Sequence, residues 1–105
     1  MPKSRRTKAC AIPPEIKKQV EERDGGRCIF CGKPGRGEGH YIGRAQGGLG
    51  IPENLITVCR ICHGQMDNGQ ATKLYRMAAK EYLQSKYPDW DETKLVYDKW
   101  SFLKR

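Results

Sequence analysis

Three features of the sequence predict a small α+β domain stapled by a metal ion. The chain has 105 residues, and with only 37% of them apolar it can bury one modest core. Two Cys-x-x-Cys pairs, Cys28 with Cys31 and Cys59 with Cys62, have the ligand spacing of a closed four-thiolate zinc site. A glycine-rich stretch suited to short strands precedes a segment with helical periodicity, so both element types are expected in one domain.

The two cysteine pairs predict one structural Zn²⁺ that performs no chemistry itself. Two thiolates separated by two residues can face one ion, and two such pairs complete its tetrahedron. Gly32 suits the tight turn after the first pair. Disulfides and redox chemistry are the alternatives, and they are disfavoured because no βαβ pattern surrounds either pair. A closed site leaves no open coordination position, so any catalysis must lie elsewhere.

The charge distribution favours a polyanionic partner. The chain has 20 Lys and Arg against 12 Asp and Glu, a net charge of +8, and residues 1–44 hold 11 of the basic and 5 of the acidic residues. Because each phosphate neutralised releases counterions, a nucleic acid is the expected partner. An anionic membrane is the weaker alternative, since no segment pairs a basic face with a large apolar one. We expect a cytoplasmic location, because no secretory signal and no run of about 18 apolar residues is present.

Residues 1–11 are expected to form a flexible basic arm ahead of a single domain at residues 12–105. The arm has no acidic residue and almost nothing to bury. Cys10 is unmatched and is expected to be a free thiol in this arm. Within the domain, a motif core at residues 27–69 precedes a helical extension at residues 70–105. The cations of the arm are either DNA contacts or a solubilising end, and they are Lys3, Arg5, Arg6 and Lys8.

Local signals place helices and strands along the domain. Proline favours a helix start, Asp-Gly-Gly favours a stop, and Tyr and Ile favour strands. The predicted elements are a short helix that starts at Pro13-Pro14 and is stopped by Asp24-Gly25-Gly26, a strand at 38–42, an apolar run at 54–58, and helices at 59–67 and 71–86.

The last helix carries an apolar stripe predicted to pack on the core. The stripe consists of Ala71, Leu74, Tyr75, Ala78, Tyr82 and Leu83. Asp89 with Glu92 resembles a capping box after the helix ends. The apolar residues expected to pack back onto the helix are Leu95, Val96, Trp100, Phe102 and Leu103.

The only two histidines, His40 and His63, both lie within the cysteine frame. His63 and Asp67 are four residues apart and share one helical face, where they could hold a metal ion. Neighbouring residues on a helix point about 100° apart, so Cys62 can face the zinc while His63 faces away. Two sites back to back are therefore possible.

Residues 23–69 resemble the zinc-stapled HNH endonucleases, especially small phage-type members. The resemblance rests on the cysteine pairs, the run Gly39-His40-Tyr41-Ile42-Gly43-Arg44-Ala45-Gln46-Gly47-Gly48, the pair Asn54-Leu55, and His63 directly after Cys62. It implies a ββα-metal core (His-Me finger), a hairpin followed by a helix that hold one catalytic divalent ion beside a phosphate.

The resemblance also implies residue roles. His40 would be the general base for water, which suits an imidazole with a pKa near neutrality. His63 with Asp67 would hold a catalytic Mg²⁺, Mn²⁺, Ni²⁺ or Zn²⁺. Asn54 would fix the hairpin loop or reach the ion. The implied reaction is phosphodiester hydrolysis in DNA, with weak sequence preference, giving 5′-phosphate and 3′-hydroxyl ends, and the implied partner of a phage member is the DNA-packaging terminase.

One position departs from the family pattern. Members usually place a metal-binding Asp or His one residue before the base, where this chain has Gly39. Glu38 takes that place if the strand is bulged, since neighbouring strand residues otherwise point to opposite faces. In a second register His40 is the ligand and Tyr41 the base, but the family spacing favours the first register.

Arg44, four residues after His40, is the predicted phosphate contact, and an exposed loop arginine is the alternative. Arg36 and Arg60 are weaker candidates of the same kind. The leading function is a metal-dependent DNA endonuclease or nickase. The alternative is a catalytically degenerate zinc-knuckle module that binds DNA, or a packaging adaptor.

Overall fold

The computed structural model describes residues 5–97, and these form the predicted small α+β fold. Four helices and two strands follow in the order α1 (Arg5–Cys10), α2 (Pro14–Arg23), β1 (Arg36–His40), β2 (Leu55–Val58), α3 (Arg60–Asn68) and α4 (Thr72–Lys86). Short 3₁₀ turns lie at Arg44–Gln46, Pro52–Asn54 and Glu92–Lys94. Within residues 5–97, no helix has both the length and the apolar character needed to cross a membrane.

The two strands form one antiparallel hairpin with an irregular register. Arg36 lies opposite Val58, whereas Gly39 lies opposite Ile56, so three steps along β1 match only two along β2. This mismatch is a β-bulge at residues 36–39, which bends the strand and re-aims its side chains. β1 begins two residues before the predicted strand.

The core lies on both faces of β2, because helices cover the hairpin on each side. Every residue of β2 is buried. Ile56 and Val58 pack with residues of α3 and α4 in the main apolar cluster. On the other face, the Thr57 hydroxyl donates to the Val20 carbonyl of α2 at 3.4 Å. The hairpin is therefore held rigidly from both sides.

Helix α2 follows the sequence prediction closely. It starts at Pro14, where the missing N–H of proline costs nothing, and ends at Arg23. Gly25 and Gly26 have φ values of 70° and 71°, a conformation that favours glycine and turns the chain away from the helix. The apolar face of α2 buries Val20 completely.

The predicted apolar stripe of α4 is wrong at Leu74 and Ala78, which are both exposed. Leu74 is 68% exposed, whereas Ala79 and Leu83 are fully buried. Tyr75 packs edge to face on Phe30, with ring centroids 4.8 Å apart. Because successive residues point about 100° apart, turning Tyr75 inward turns Leu74 out to solvent.

The structure also corrects the expectation for the N-terminal segment. Instead of a flexible arm, residues 5–10 form α1, and Cys10 is 3% exposed. The Gly50 amide donates to the Ala9 carbonyl at 3.0 Å, and Arg6 donates to the Ala45 carbonyl at 2.7 Å. These bonds hold α1 on the loop between the strands.

The chain after α4 differs from the predicted capping box. Asp91, not Asp89, accepts the Thr93 amide and starts a short 3₁₀ turn. Leu95 is buried, as expected, and Val96 pairs with Gly48 in an isolated bridge. Other residues named from the sequence lie outside the described residues, and these are Lys3, Trp100, Phe102 and Leu103.

Candidate functional site

The four predicted zinc ligands come together in one cluster. The Sγ atoms of Cys28, Cys31, Cys59 and Cys62 all lie within 4.8 Å of one another, and those of Cys31 and Cys59 are 3.6 Å apart. Ligands placed tetrahedrally at the Zn–S distance of about 2.3 Å would be about 3.8 Å apart. All four cysteines are free thiols. The cluster therefore fits a structural Zn²⁺.

Local backbone geometry sets each cysteine pair. Gly32, with φ of 79°, makes the turn after the first pair, and its amide donates to the Cys28 carbonyl at 2.9 Å. Cys59 is the N-cap of α3, where its sulfur accepts the Cys62 amide at 3.4 Å. This backbone hydrogen bond is the largest cause that lowers the pKa of Cys59 to about 7, and hydrogen bonds from the other three thiols add to it against the opposing effect of burial. A thiolate ligand is thus favoured at this position.

A second site lies beside the zinc cluster, in a cavity of about 520 Å³. Helix α3 turns Cys62 into the core and leaves the His63 side chain 32% exposed. The cavity brings together most of the predicted catalytic residues. Its lining residues are Ile12, Lys17, Glu38, His40, Gly43, Arg44, His63 and Asp67.

His40 is nearly buried, at 8% exposure, and one ring nitrogen is fixed. Its Nε2 lies 2.9 Å from the Cys10 carbonyl oxygen. No hydrogen bond to the His40 Nδ1 atom is found within residues 5–97. Every buried side-chain nitrogen or oxygen atom of the described residues has a hydrogen-bond partner, so Nδ1 is not one of the buried atoms. Because His40 lines the cavity, Nδ1 is open to it. Burial lowers the pKa of His40, the bond to Cys10 partly opposes this, and the charge of Arg44 lowers it further. A neutral imidazole with a free Nδ1 is the result.

Asn54 fixes the loop that follows β1. It is fully buried, and its Oδ1 accepts the Ile42 amide at 2.8 Å. Its Nδ2 donates to the carbonyls of Ile42 at 3.1 Å and Leu49 at 2.9 Å. All these bonds are to backbone, and Asn54 does not line the cavity. The side chain of Asn54 therefore fixes the backbone of this loop.

His63 and Asp67 form the predicted pair on α3. The His63 Nε2 is 3.3 Å from Oδ2 of Asp67, and the other carboxylate oxygen, Oδ1, is 3.4 Å from the Arg76 guanidinium. Arg76 also donates to the Tyr41 carbonyl and, at 3.4 Å, to the His40 carbonyl. Sequence reasoning missed Arg76, because a basic residue on a helix is most often solvated. It ties α4 to both sides of the site.

β1 is bulged, which is the condition under which Glu38 could replace a ligand at position 39, and Glu38 lines the cavity. Its carboxylate pairs with Lys17, another residue missed from the sequence, at 3.4 Å. Within residues 5–97, only the four thiols form a group of three or more ligand atoms close enough for one ion. Glu38 is thus near His63 and Asp67 but not grouped with them.

Gly39 faces the core. A Cβ built there would lie 3.0 Å from Cγ2 of Val58 and 3.2 Å from Cγ1 of Ile56. Both of these residues belong to the main apolar cluster. A metal-binding side chain at this position would start among buried aliphatic carbons, which accounts for the glycine physically.

We expect Gly39→Ala to destabilise the protein by about 1–3 kcal/mol, the usual cost of overpacking a core. Gly39→Asp should cost more, since it also brings a carboxylate against apolar atoms. Urea unfolding of the zinc-loaded protein measures both. Gly64→Ala is the control, because a Cβ there meets nothing within 4 Å. A Gly39→Asp protein as stable as wild type would contradict this packing argument.

Two further depressions that carry arginines share lining residues with the cavity. One of about 220 Å³ is lined by Arg6 and shares Arg44 with the cavity. Another of about 430 Å³ is lined by Arg36 and Arg60 and shares Glu38 and His63 with it. Arg5 and Lys8 are exposed on α1. The cavity and the two depressions are together called the groove below.

Comparison with known proteins agrees with the motif. Residues 28–69 match the family model described as HNH endonuclease, a segment that contains both cysteine pairs and His40, Asn54 and His63. The resemblance stated from the sequence is confirmed over that segment. No curated protein and no solved structure matches the chain. The match supports nuclease or nucleic-acid-binding activity in general.

Proposed function

Because residues 28–69 carry the HNH match, we propose that this chain is a metal-dependent DNA endonuclease or nickase with His40 as its general base. The observation that carries the proposal is the arrangement of His40. Its Nε2 is held by a backbone carbonyl, and its Nδ1 opens into the cavity that also holds His63 and Asp67. A degenerate binding module would have no need of a free, neutral imidazole nitrogen there.

In the proposed reaction, His40 takes a proton from water at Nδ1. The oxygen of that water attacks phosphorus, the bond from phosphorus to O3′ breaks, and O3′ gains a proton from solvent. The ends are a 5′-phosphate and a 3′-hydroxyl. Arg44 lines the cavity and would contact a phosphate oxygen of the strand.

His63 and Asp67 would hold the catalytic divalent ion, and Glu38 is the proposed third ligand. Imidazole and carboxylate donors suit Mg²⁺, Mn²⁺, Ni²⁺ and Zn²⁺ to different degrees. When bound, such an ion neutralises negative charge that develops on the phosphate. Arg76 keeps the Asp67 carboxylate in place from the α4 side.

The DNA strand would follow the groove, past Arg6 and Arg44 in one depression and Arg36 and Arg60 in the other. Contacts of this kind to phosphate position a strand without reading its sequence, which agrees with the weak preference proposed. Arg5 and Lys8 would add charge beside Arg6, and Lys3, which lies outside the described residues, stays a predicted DNA contact. A phage origin, the packaging terminase as partner and a cytoplasmic location stay predictions.

A catalytically degenerate DNA-binding module or packaging adaptor is the second candidate. Gly39 and the separation of Glu38 from the His63–Asp67 pair favour it, because they leave two close ligand side chains. Catalytic ions held by few protein ligands are compatible with activity, since water and substrate phosphate complete the shell. The two candidates differ in whether His40 performs proton transfer.

Incubation of supercoiled plasmid with the zinc-loaded protein should produce nicked circles when Mg²⁺, Mn²⁺ or Ni²⁺ is added. His40→Ala is expected to lower the rate by about 10²–10⁴-fold, the usual contribution of a general base. Its gel-shift affinity for DNA should stay unchanged, because His40 is not one of the phosphate contacts. Agarose gels of the time course measure both variants.

Gln84→Ala, an exposed change on α4, is the matched control and should cut like wild type. Intact plasmid under every metal, at protein concentrations that shift DNA, would favour the binding module. Equal cutting by His40→Ala would reject His40 as the base while leaving a nuclease.

A further inference from the structure

We propose that the N-terminal segment, residues 5–11, is a positioning element for His40, acting through the main-chain carbonyl of Cys10. The segment lies outside the matched motif at residues 28–69. It nevertheless supplies the fixed hydrogen-bond partner of the His40 ring within residues 5–97. The inference rests on the proposed role of His40 as base.

The chemistry of the contact determines the tautomer. A carbonyl oxygen can only accept a hydrogen bond, so the Nε2 atom 2.9 Å from it must carry the proton. In neutral His40 the other nitrogen, Nδ1, then has the lone pair, and this is the atom that opens to the cavity. If the Cys10 carbonyl moved away, the ring could place its proton on either nitrogen and rotate more freely. Cys10 is therefore a positioning residue.

The segment is built into its place by close packing at Gly50. The Gly50 amide donates to the Ala9 carbonyl at 3.0 Å. A Cβ at Gly50 would lie 2.0 Å from the Ala11 carbonyl oxygen and 3.2 Å from that of Cys10. Only glycine allows this approach, so residue 50 and the segment fit each other specifically.

A second set of contacts links the segment to the phosphate side of the cavity. The Arg6 guanidinium donates to the Ala45 carbonyl at 2.7 Å and to the Arg44 carbonyl at 3.3 Å. These carbonyls belong to the 3₁₀ turn from which Arg44 reaches the cavity. Ile12, just after the segment, lines the cavity too. One segment thus fixes both the base and the turn that carries a phosphate contact.

Gly50→Ala tests the inference, because the added methyl group must displace the segment. The primary measurement is the ¹⁵N NMR spectrum of the two imidazole rings in the zinc-loaded full chain at about pH 8, above the ordinary histidine pKa of about 6.5. In wild type, we expect a single His40 tautomer with the proton on Nε2. In Gly50→Ala, we expect a mixture of tautomers at His40, with His63 unchanged as the internal reference.

Single-turnover nicking is the second measurement. A small misplacement of a catalytic group costs up to about a hundredfold in rate, so Gly50→Ala should nick about ten to a hundred times more slowly. Displacing the segment also moves Arg5, Arg6 and Lys8, so the nicking rates are compared at protein concentrations that saturate the DNA, where the rate reports the chemical step rather than affinity. Gly64→Ala, the same substitution at an uncrowded glycine, should leave both the spectrum and the rate unchanged.

Arg6→Ala provides a second variant in case Gly50→Ala does not fold. It removes two side-chain bonds that hold the segment and should shift the His40 tautomer in the same direction. A wild-type His40 with its proton on Nδ1, or a tautomer unchanged in the folded variants, would overturn the inference. If wild type holds the Nε2 tautomer yet never nicks DNA, the proposed function fails while the positioning contact stands.

Discussion

Removal of the metal from the four-cysteine cluster is expected to unfold the protein. Cys28 and Cys62 are themselves part of the main apolar cluster, so the site is continuous with the core. Binding of structural zinc contributes about 10–16 kcal/mol in small zinc domains. Net stabilities of whole domains are only about 5–15 kcal/mol. The free energy lost with the ion therefore exceeds the net stability that a core of this size supplies.

The measurement is far-UV circular dichroism with zinc quantified in parallel during titration with a strong chelator. The helical signal should fall in proportion to zinc released and return when Zn²⁺ is added back. The Cys62→Ala variant should not fold even when no chelator is added. Cys10→Ala is the matched control, because Cys10 is equally buried but no ligand, and it should keep both fold and zinc. A full helical signal from zinc-free protein would contradict the structural role.

The elements that could be predicted are those whose signals are local. Zinc ligation depends on a fixed two-residue spacing, and helix α2 is bounded by proline at one end and by Asp-Gly-Gly at the other. Each of these depends on neighbours in the chain and on little else.

The features that were missed depend on contacts between distant residues. Helix α1 is held by carbonyls some forty residues away, and no apolar pattern marks it. Arg76 donates hydrogen bonds to carbonyls at the end of β1, and no local sequence motif predicts that contact for an arginine on a helix. The inward turn of Tyr75 in α4 is set by Phe30. Periodicity predicts that a helix has an apolar face. The residues packed against the helix decide how far it is rotated about its own axis, and so which side chains are buried.

A buried ion pair at the end of α2 could not be predicted from the sequence either, because Asp24 indicates only a helix stop there. The Arg23 guanidinium donates two parallel hydrogen bonds to the Asp24 carboxylate, at 2.7 and 2.9 Å. The carboxylate is 0% exposed and also accepts the Tyr82 hydroxyl at 2.5 Å and the Thr57 amide at 2.9 Å. Arg23 continues to the Leu55 carbonyl at 2.7 Å. The pair joins α2, β2 and α4.

Asp24→Ala is expected to lower the free energy of unfolding by about 3–5 kcal/mol, the cost of leaving one buried charge of a pair uncompensated. The substitution leaves the Arg23 guanidinium, which is 14% exposed, without its carboxylate partner, and it removes the acceptor for two further donors. Urea unfolding at neutral pH, with zinc in excess, measures the loss. Asp89→Asn, at an exposed carboxylate, should change stability by no more than about 0.5 kcal/mol. A loss below about 1 kcal/mol for Asp24→Ala would mean that the pair contributes no more than an exposed one.

The same pair predicts how stability depends on pH. Burial alone would raise the pKa of Asp24, but the hydrogen bonds from Arg23, Tyr82 and Thr57 outweigh it and hold the pKa below its ordinary value. A carboxyl whose pKa is lowered by folding stabilises the folded state above its unfolded pKa of about 3.9 and loses that contribution as the pH falls through the folded value. The stability difference between wild type and Asp24→Asn should therefore be constant from about pH 5 upward and shrink below about pH 4. Comparing the two variants cancels the acid lability of the zinc site, which both share. A difference that grows on acidification would show that Asp24 is protonated more readily in the folded protein, and the ion pair would then not be the stabilising contact.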